Sequence, residues 1–262
     1  MPSVSVIMSV YNGAEYLDDA IKSIVEQKFT DFECIIIDDC STDLTEQIIQ
    51  EWKKRDSRII IFRNEKNIGL TKSLNKGISH AQGVYIARMD ADDIADPLRL
   101  SKQYDFMNEH KEMALCGSFG WIIDNKGAQV RKKILPIEYK DIKKKLLQNN
   151  QFIHSSLFIR HDVLKEVGDY DEGFKRSQDY ELVLRVAAFH IVANISEPLI
   201  SWRYTKQSLS WQSKGQEWFA LKARWKAINQ YHYPFFKGAV IIILRTFWML
   251  LPGSLRRLRY EY

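Results

Sequence analysis

Apolar and polar positions follow two alternating periods over the first 90 residues. Val4–Val10 is apolar and β-branched, which predicts a buried strand. Within Ala14–Lys28, Leu17, Ala20, Ile21, Ile24 and Val25 recur at helical spacing. Glu33–Asp38 predicts a second strand. Asp43, with Glu46 three residues on, marks a helix start whose apolar face is Ile48, Ile49 and Trp52. Ile59–Arg63 predicts a third strand, Leu70–Ala81 a third helix and Val84–Asp90 a fourth strand. Strand and helix in strict alternation imply βαβ units: an α/β, Rossmann-like, mostly parallel sheet covered by helices on both faces. Crossovers in such sheets are right-handed, and ligands sit beyond the carboxyl ends of the strands.

Further on, the pattern predicts a helix over Leu98–His110 after Pro97, an apolar run over Met113–Ile123 and a turn at Asp124–Gly127. The Lys-rich stretch Ile142–Leu147 reads as a solvated helix face. Phe152–Ile159 reads as a strand, Val163–Val167 as a short helix closed by Gly168, and Gln178–His190 as a helix. A chain of 262 residues can bury one large core or two small ones. Cys34, Cys40 and Cys116 lack metal-type spacing, and the apolar surroundings of Cys34 and Cys116 suit buried thiols in a reducing cytosol. No basic region followed by an apolar stretch opens the sequence, so no cleavable signal peptide is expected.

The net charge of +5 hides an asymmetry: residues 211–262 hold nine Lys/Arg against Glu217 and Glu261, leaving the rest slightly negative. A near-neutral body with a basic tail argues against a general nucleic-acid surface and for a tail with its own partner.

The polar signals gather where the strands end. Strand one runs into Tyr11-Asn12-Gly13, strand two into Asp38-Asp39, strand three into Arg63-Asn64 with Asn67-Ile68-Gly69 after it, and strand four into Asp90-Ala91-Asp92, followed by Asp93. Carboxylates two residues apart on a strand share a face, and their repulsion invites a compensating cation. Such hard oxygen ligands suit Mn²⁺ or Mg²⁺, held by one or two carboxylates plus substrate phosphates.

Five motifs in this order resemble the family 2 glycosyltransferases, inverting enzymes of the GT-A fold that use nucleotide-sugar donors. They are Val4–Asn12, Ile37–Asp43, Asn67–Leu70 with Asn75–Ile78, Met89–Asp93, and Val167–Phe174 followed by Gln178–Leu182. The likeness covers about residues 3–210 and points to the surface-polysaccharide and O-antigen type. It implies a donor side made of Tyr11, Asn12, Asp39, Asn67, Asp90, Ala91 and Arg203, with Tyr11 near the base, Asp39 on its uracil-like edge and Arg203 on the diphosphate. It implies metal ligation by Asp92 with Asp90, an acceptor side with His154 and Trp202, and Asp179 as general base. A single displacement needs such a carboxylate to take the acceptor proton. Glu181, roughly 200° around a helix from Asp179, cannot share that task. Many relatives carry a His where Thr205 stands here, which removes one protein ligand for the metal. The Gln-x-x-Arg-Trp signature of processive members is broken, since Leu221 stands before Arg224-Trp225 in its place.

The implied organisation is a nucleotide-sugar part over 1–97, an acceptor part over 98–210 and a helical, basic, aromatic tail over 211–262. Phe235–Leu251 is apolar but interrupted by Lys237 and Arg245, and a bilayer span takes roughly 20 mostly apolar residues. An in-plane amphipathic helix is expected, with Arg256, Arg257 and Arg259 on anionic headgroups; a helix packed on the protein's own body or on a dimer partner stays open beside it. Cytoplasmic, peripheral placement at the inner face of the membrane follows, with a lipid-linked or other glycan as acceptor; a homo-oligomer is left open. Two other readings remain at this point. A sugar nucleotidylyltransferase would need a Gly-rich phosphate loop, which Tyr11-Asn12-Gly13-Ala14 is not; a non-catalytic nucleotide-sugar-binding module would not need both Asp92 and Asp179.

Overall fold

The computed structural model describes residues 1–204 and 214–250. Strand β1 (Val4–Val10) is buried along its whole length. It pairs in parallel with β2 (Phe32–Asp38) on one side and β4 (Tyr85–Asp90) on the other, and β3 (Ile59–Arg63) pairs in parallel outside β2. The register matters for function. Ser9 lies opposite both Ile37 and Asp90, and Val10 opposite Asp38, so β1, β2 and β4 end on one edge.

Side chains alternate across these strands. Ile7, Ile35 and Ile37 join one core cluster with Leu74 and Ile78 of α3 (Leu70–Ser79). Val6, Met8, Cys34 and Ile36 join another with Leu17, Ile21 and Ile24 of α1 (Leu17–Val25) and Ile49 of α2 (Thr45–Arg55). α3 comes close because Gly77 has no side chain: a Cβ there would sit 2.7 Å from Cγ2 of Ile7. The helices thus cover both faces, as the alternating pattern requires.

The sheet continues in mixed sense. After β5 (Ile94–Ala95) and α4 (Arg99–Glu109), the long β6 (Met113–Ile123) pairs antiparallel with β7 (Gln129–Lys133) and with β8 (Phe158–Arg160), and parallel with β9 (Ile191–Arg203). β8 joins the halves by pairing antiparallel with β4, and β5 closes the far edge against β9. The order is β3-β2-β1-β4-β8-β6-β9-β5. The helices α5 (Tyr139–Leu146), α6 (His161–Val167), α7 (Gln178–Phe189), α8 (Lys214–Gln230) and α9 (Phe235–Leu250) complete the described chain.

Besides the short strands β5 and β7, which no expected element matches, two regions depart from the sequence expectation. Phe152–Ile159 is not one strand: His154–Ser156 form a 3₁₀ turn, and only Phe158–Arg160 is β. The Ser156 hydroxyl donates to the carbonyl of Ile153 at 2.8 Å and accepts from Ser118 N at 3.1 Å, giving the backbone a local alternative to the ladder. β9, in contrast, has no counterpart among the expected elements. Asn194, Ser196, Glu197 and Pro198 hide its period, and register shifts around Phe119 of β6 accommodate them.

The tail begins inside the core. Ala220, Ala223, Ala227 and Ile228 of α8 lie in the cluster that holds Leu182 and Val186 of α7. α9 then crosses α8 where Gly238 meets Ile228 so closely that a Cβ would lie 2.1 Å from its Cγ2. No described helix is long and apolar enough to cross a membrane.

Candidate active site

The carboxylates at the end of β4 converge. Asp90, Asp92 and Asp93 each offer an oxygen within 4.8 Å of the others. Behind them two arginines are buried, Arg88 of β4 at 2% and Arg99 at the start of α4 at 0% exposure. Arg88 shares a strand face with Asp90 and pairs with its carboxylate. Arg99 donates to the carbonyl of Arg88 at 2.7 Å and to Gln103 at 3.0 Å. The hydroxyl of Ser155 sits among the acids, accepting from Arg88 Nη1 at 3.0 Å and bonded to the carboxylates of Asp90 and Asp93.

These neighbours set the charges apart. Burial works against ionisation of Asp90, but Arg88 outweighs it and holds the carboxyl below its usual range. Burial, and then the charge of Asp90, push Asp92 above that range. Asp93, wholly enclosed and facing both other acids, is pushed well above it. Three crowded carboxylates, two of them reluctant to ionise, form a hard oxygen donor set that fits a divalent cation. Asp92 is the least engaged: Asp90 is taken up by Arg88 and Ser155, while Asp93 also accepts from Arg203 N at 2.8 Å.

Arg203 is 3% exposed, at the end of β9. Its guanidinium donates to the carbonyls of Asp92 (2.8 Å), Asp124 (3.0 Å) and Asn125 (3.2 Å) and lies 4.2 Å over the ring of Tyr16. It fastens the acidic turn to the hairpin after β6. Thr205 lies outside the described residues.

On the neighbouring strand ends, Asp39 accepts from Ile68 N at 2.9 Å, Gly69 N at 2.8 Å and Asn64 Nδ2 at 2.8 Å. The Ser41 turn is served by Asp38, which accepts from Ser41 N at 2.9 Å. Asn12 has a left-handed φ of 51°, and its side-chain carbonyl accepts from Thr42 N at 2.8 Å. Gly13 N donates to Thr45 Oγ1 at 2.9 Å and Ala14 N to Asp43 at 3.2 Å. The loops after β1 and β2 are stitched into one ledge. Tyr11, 51% exposed, stands free upon it, and the exposed Asn67 lies beside the Ile68–Gly69 amides that hold Asp39.

A second carboxylate centre comes from α7. Asp179 is in its first turn and accepts from Asn150 Nδ2 at 2.8 Å. Burial pushes its carboxyl upward, against the Tyr180 amide, Arg88 and Asn150, which favour the charged form; Asp90 adds to the rise. The helix start is strained and anchored: Ser177 has φ 54° and donates to the carbonyl of Gln216 in α8 at 3.1 Å. His154 lies 2.9 Å from the hydroxyl of buried Tyr170, and burial with Arg88 keeps its ring neutral. Trp202 is partly buried, with the Lys133 ammonium 5.0 Å from its ring. Glu181 turns away from Asp179 into a buried network with Arg185, Lys226 and Tyr231.

The structure therefore brings together Asp90, Asp92, Ala91 and Arg203, sets Tyr11, Asn12, Asp39 and Asn67 along the adjoining edge, and places Asp179 within the electrostatic influence of Asp90. Arg88, Ser155 and Asn150 belong to the site without standing out in the sequence. Ser155 was adjacent to a named candidate, His154; Arg88 sits two residues before Asp90, and that spacing was its only signal.

Residues 5–168 match the family model "Glycosyl transferase family 2". An uncharacterized glycosyltransferase of Methanocaldococcus jannaschii is 37% identical over 88% of this chain and 82% of that protein. The O-antigen biosynthesis glycosyltransferase WbnJ of Escherichia coli is 34% identical over 78% of this chain and 81% of its own length. Among solved structures, S. aureus TarS 1–349 in complex with UDP-GlcNAc superposes with a TM-score of 0.72 at 18% identity, covering 92% of this chain and 70% of that one.

Proposed function

Given that the chain belongs to glycosyl transferase family 2 and has the GT-A fold, and so is a glycosyltransferase, we propose that it moves a sugar, with inversion, from a nucleotide-diphosphate donor to a hydroxyl of a glycan acceptor. A UDP-sugar is the proposed donor and a lipid-linked glycan the proposed acceptor, in surface polysaccharide assembly. The uridine donor is supported by the UDP-GlcNAc of TarS, the pathway by the O-antigen role in the name of WbnJ. Residues 1–97 hold the donor and 98–210 the acceptor; in the tail over 211–262, α8 braces the acceptor side, and 235–262 meet an anionic membrane at the cytoplasmic face.

In this reading Tyr11 and Asn12 carry the base on the stitched ledge, with Asp39 and Asn67 at its edge. Asp92, with Asp90, would hold Mn²⁺ or Mg²⁺, which supplies Lewis-acid neutralisation of the leaving diphosphate. Arg203 and Ala91 shape the turn beneath it, and His154 and Trp202 line the acceptor side. Asp179 takes the proton from the acceptor hydroxyl as the new bond forms. Its raised proton affinity suits that step, because a general base is most effective near the working pH.

The observation that carries the reading is the pairing of two carboxylate centres from distant parts of the chain. The acids of β4 are crowded and prepared for a cation; Asp179 is solitary, held by Asn150 and biased toward protonation. A thermal-shift panel of nucleotide sugars with and without Mn²⁺ tests it, since a ligand at 100 times its Kd stabilises by about 2.7 kcal/mol. Stabilisation that requires both Mn²⁺ and a diphosphate sugar is expected, and equal shifts without metal would sink the metal assignment.

A further inference from the structure

α9 is apolar on both its inner and its outer side. Its cations turn to the protein: Lys237 donates to the carbonyl of Lys144 at 2.8 Å, and Arg245 to the carbonyl of Gln148 at 2.8 Å and the side chain of Asn149 at 2.5 Å. Ile241 and Ile242 pack against the core, while a row of its apolar side chains turns out. Phe236 is 85% exposed, Val240 55%, Ile243 67%, Leu244 62%, Phe247 66% and Leu250 73%. At 100° per residue these six fall within an arc of about 120°. So continuous a row of bare Phe, Ile and Leu on a helix fixed to the body marks a contact surface.

The same contacts place α9 beside α5. Lys140, Lys144 and Lys145 of that helix are exposed, with Asp141 the exposed acid among them. An exposed apolar row on a helix beside one that carries three exposed lysines is complementary to an anionic bilayer, whose headgroups meet the lysines while the row enters the acyl boundary.

We propose that α9 and α5 together form a rigid bilayer-docking face: the α9 row supplies the apolar insertion and Lys140, Lys144 and Lys145 the electrostatic hold. This rests on the proposed membrane association and changes its chemistry, since the cations of α9 are committed to carbonyls and α5 replaces them. The helix also fixes orientation, because it is fastened to the segment 144–149 that leads into Asn150, the partner of Asp179.

The test is co-sedimentation of the full chain with vesicles of phosphatidylcholine alone or with 30 mol% phosphatidylglycerol. The parent is expected to pellet with the anionic vesicles only. Replacing Lys140, Lys144 and Lys145 by Gln should weaken partitioning by about a hundred-fold, at roughly ten-fold or less per lysine. Phe236→Ser with Ile243→Ser and Phe247→Ser should abolish it while the circular dichroism spectrum is kept. A parent that pellets with neither vesicle overturns this proposal and the membrane reading together. If both variants pellet like the parent while a variant with Gln at 256, 257 and 259 does not, the membrane reading stands and this docking face is wrong. If the Ser variant turns a dimeric parent into a monomer without changing vesicle binding, a second copy of the chain covers the face and the proposal fails.

Discussion

The ammonium of Lys226 lies 2.9 Å from a carboxylate oxygen of Glu181, so a residue of the C-terminal helix α8 neutralises a fully buried acid two positions after Asp179. Lys226 also reaches Asp171, 2.7 Å away in the loop before α7, and Tyr231 bonds the same Glu181. Three segments are clamped at one ammonium. The tail thus reaches the start of α7, where Asp179 lies, through an ion pair as well as through apolar packing.

Lys226→Met should lower the unfolding free energy by about 2 kcal/mol, the scale of a hydrogen bond to a charged group, with Arg185 still holding Glu181. Urea titration measures this. The same variant should lose turnover more than donor affinity, because the start of α7 loosens while the β1–β2 ledge is untouched. Unchanged stability would mean that Arg185 and Tyr231 suffice for Glu181.

Asp92→Asn should abolish transfer and weaken donor binding in the presence of Mn²⁺. Chelation of the parent should inhibit it reversibly, with recovery on adding metal back. Full transfer after thorough metal removal, confirmed by elemental analysis, contradicts a metal role for this residue.

Asp179→Asn should cut turnover by roughly 10²–10⁴, the range for loss of a general base, with the fold and donor affinity kept. The parent's product, followed by NMR, should carry the inverted anomeric configuration. Retention would rule out the single displacement and the place of Asp179 in it.

Asn150→Ala should move the acid limb of the kcat/KM profile to higher pH by about one unit, given about 1.5 kcal/mol for a hydrogen bond to a charged group and 1.36 kcal/mol per unit. The sign follows from geometry. The amide donates to the carboxylate and so favours its charged form; without it Asp179 keeps its proton to higher pH, and the active, ionised enzyme appears later. Arg88 and Asp90 on β4, Lys133 on β7 and Tyr170 before α7 also face this group and stay constant in the comparison. An unmoved limb would assign the titration to another residue.

How far the sequence could be read depends on the range of the interactions. The first four strands and three helices were legible because each announces itself within a dozen residues, as Val4–Val10 and Leu17–Val25 do. The acids of β4 were legible for the same reason: adjacency in the chain guarantees adjacency in space. Ser155 was not, since its bonds to Asp90 and Asp93 span 65 and 62 residues. Nor was the inward turn of Lys237 and Arg245, because a helical wheel gives angular spacing but not which side faces the protein. β9 escaped notice because its partner is the long β6 and its own middle is polar.

The stitching between Asn12 and Thr42, Gly13 and Thr45, and Ala14 and Asp43 has a practical consequence for redesign. Loops bound by their backbones cannot be altered one at a time: a substitution that reshapes residues 11–14 drags 41–45 with it. If the ledge carries the base as proposed, attempts to change which nucleobase is accepted should therefore transplant both segments as one cassette. Evolution faces the same constraint, and changes in the two segments should occur in pairs.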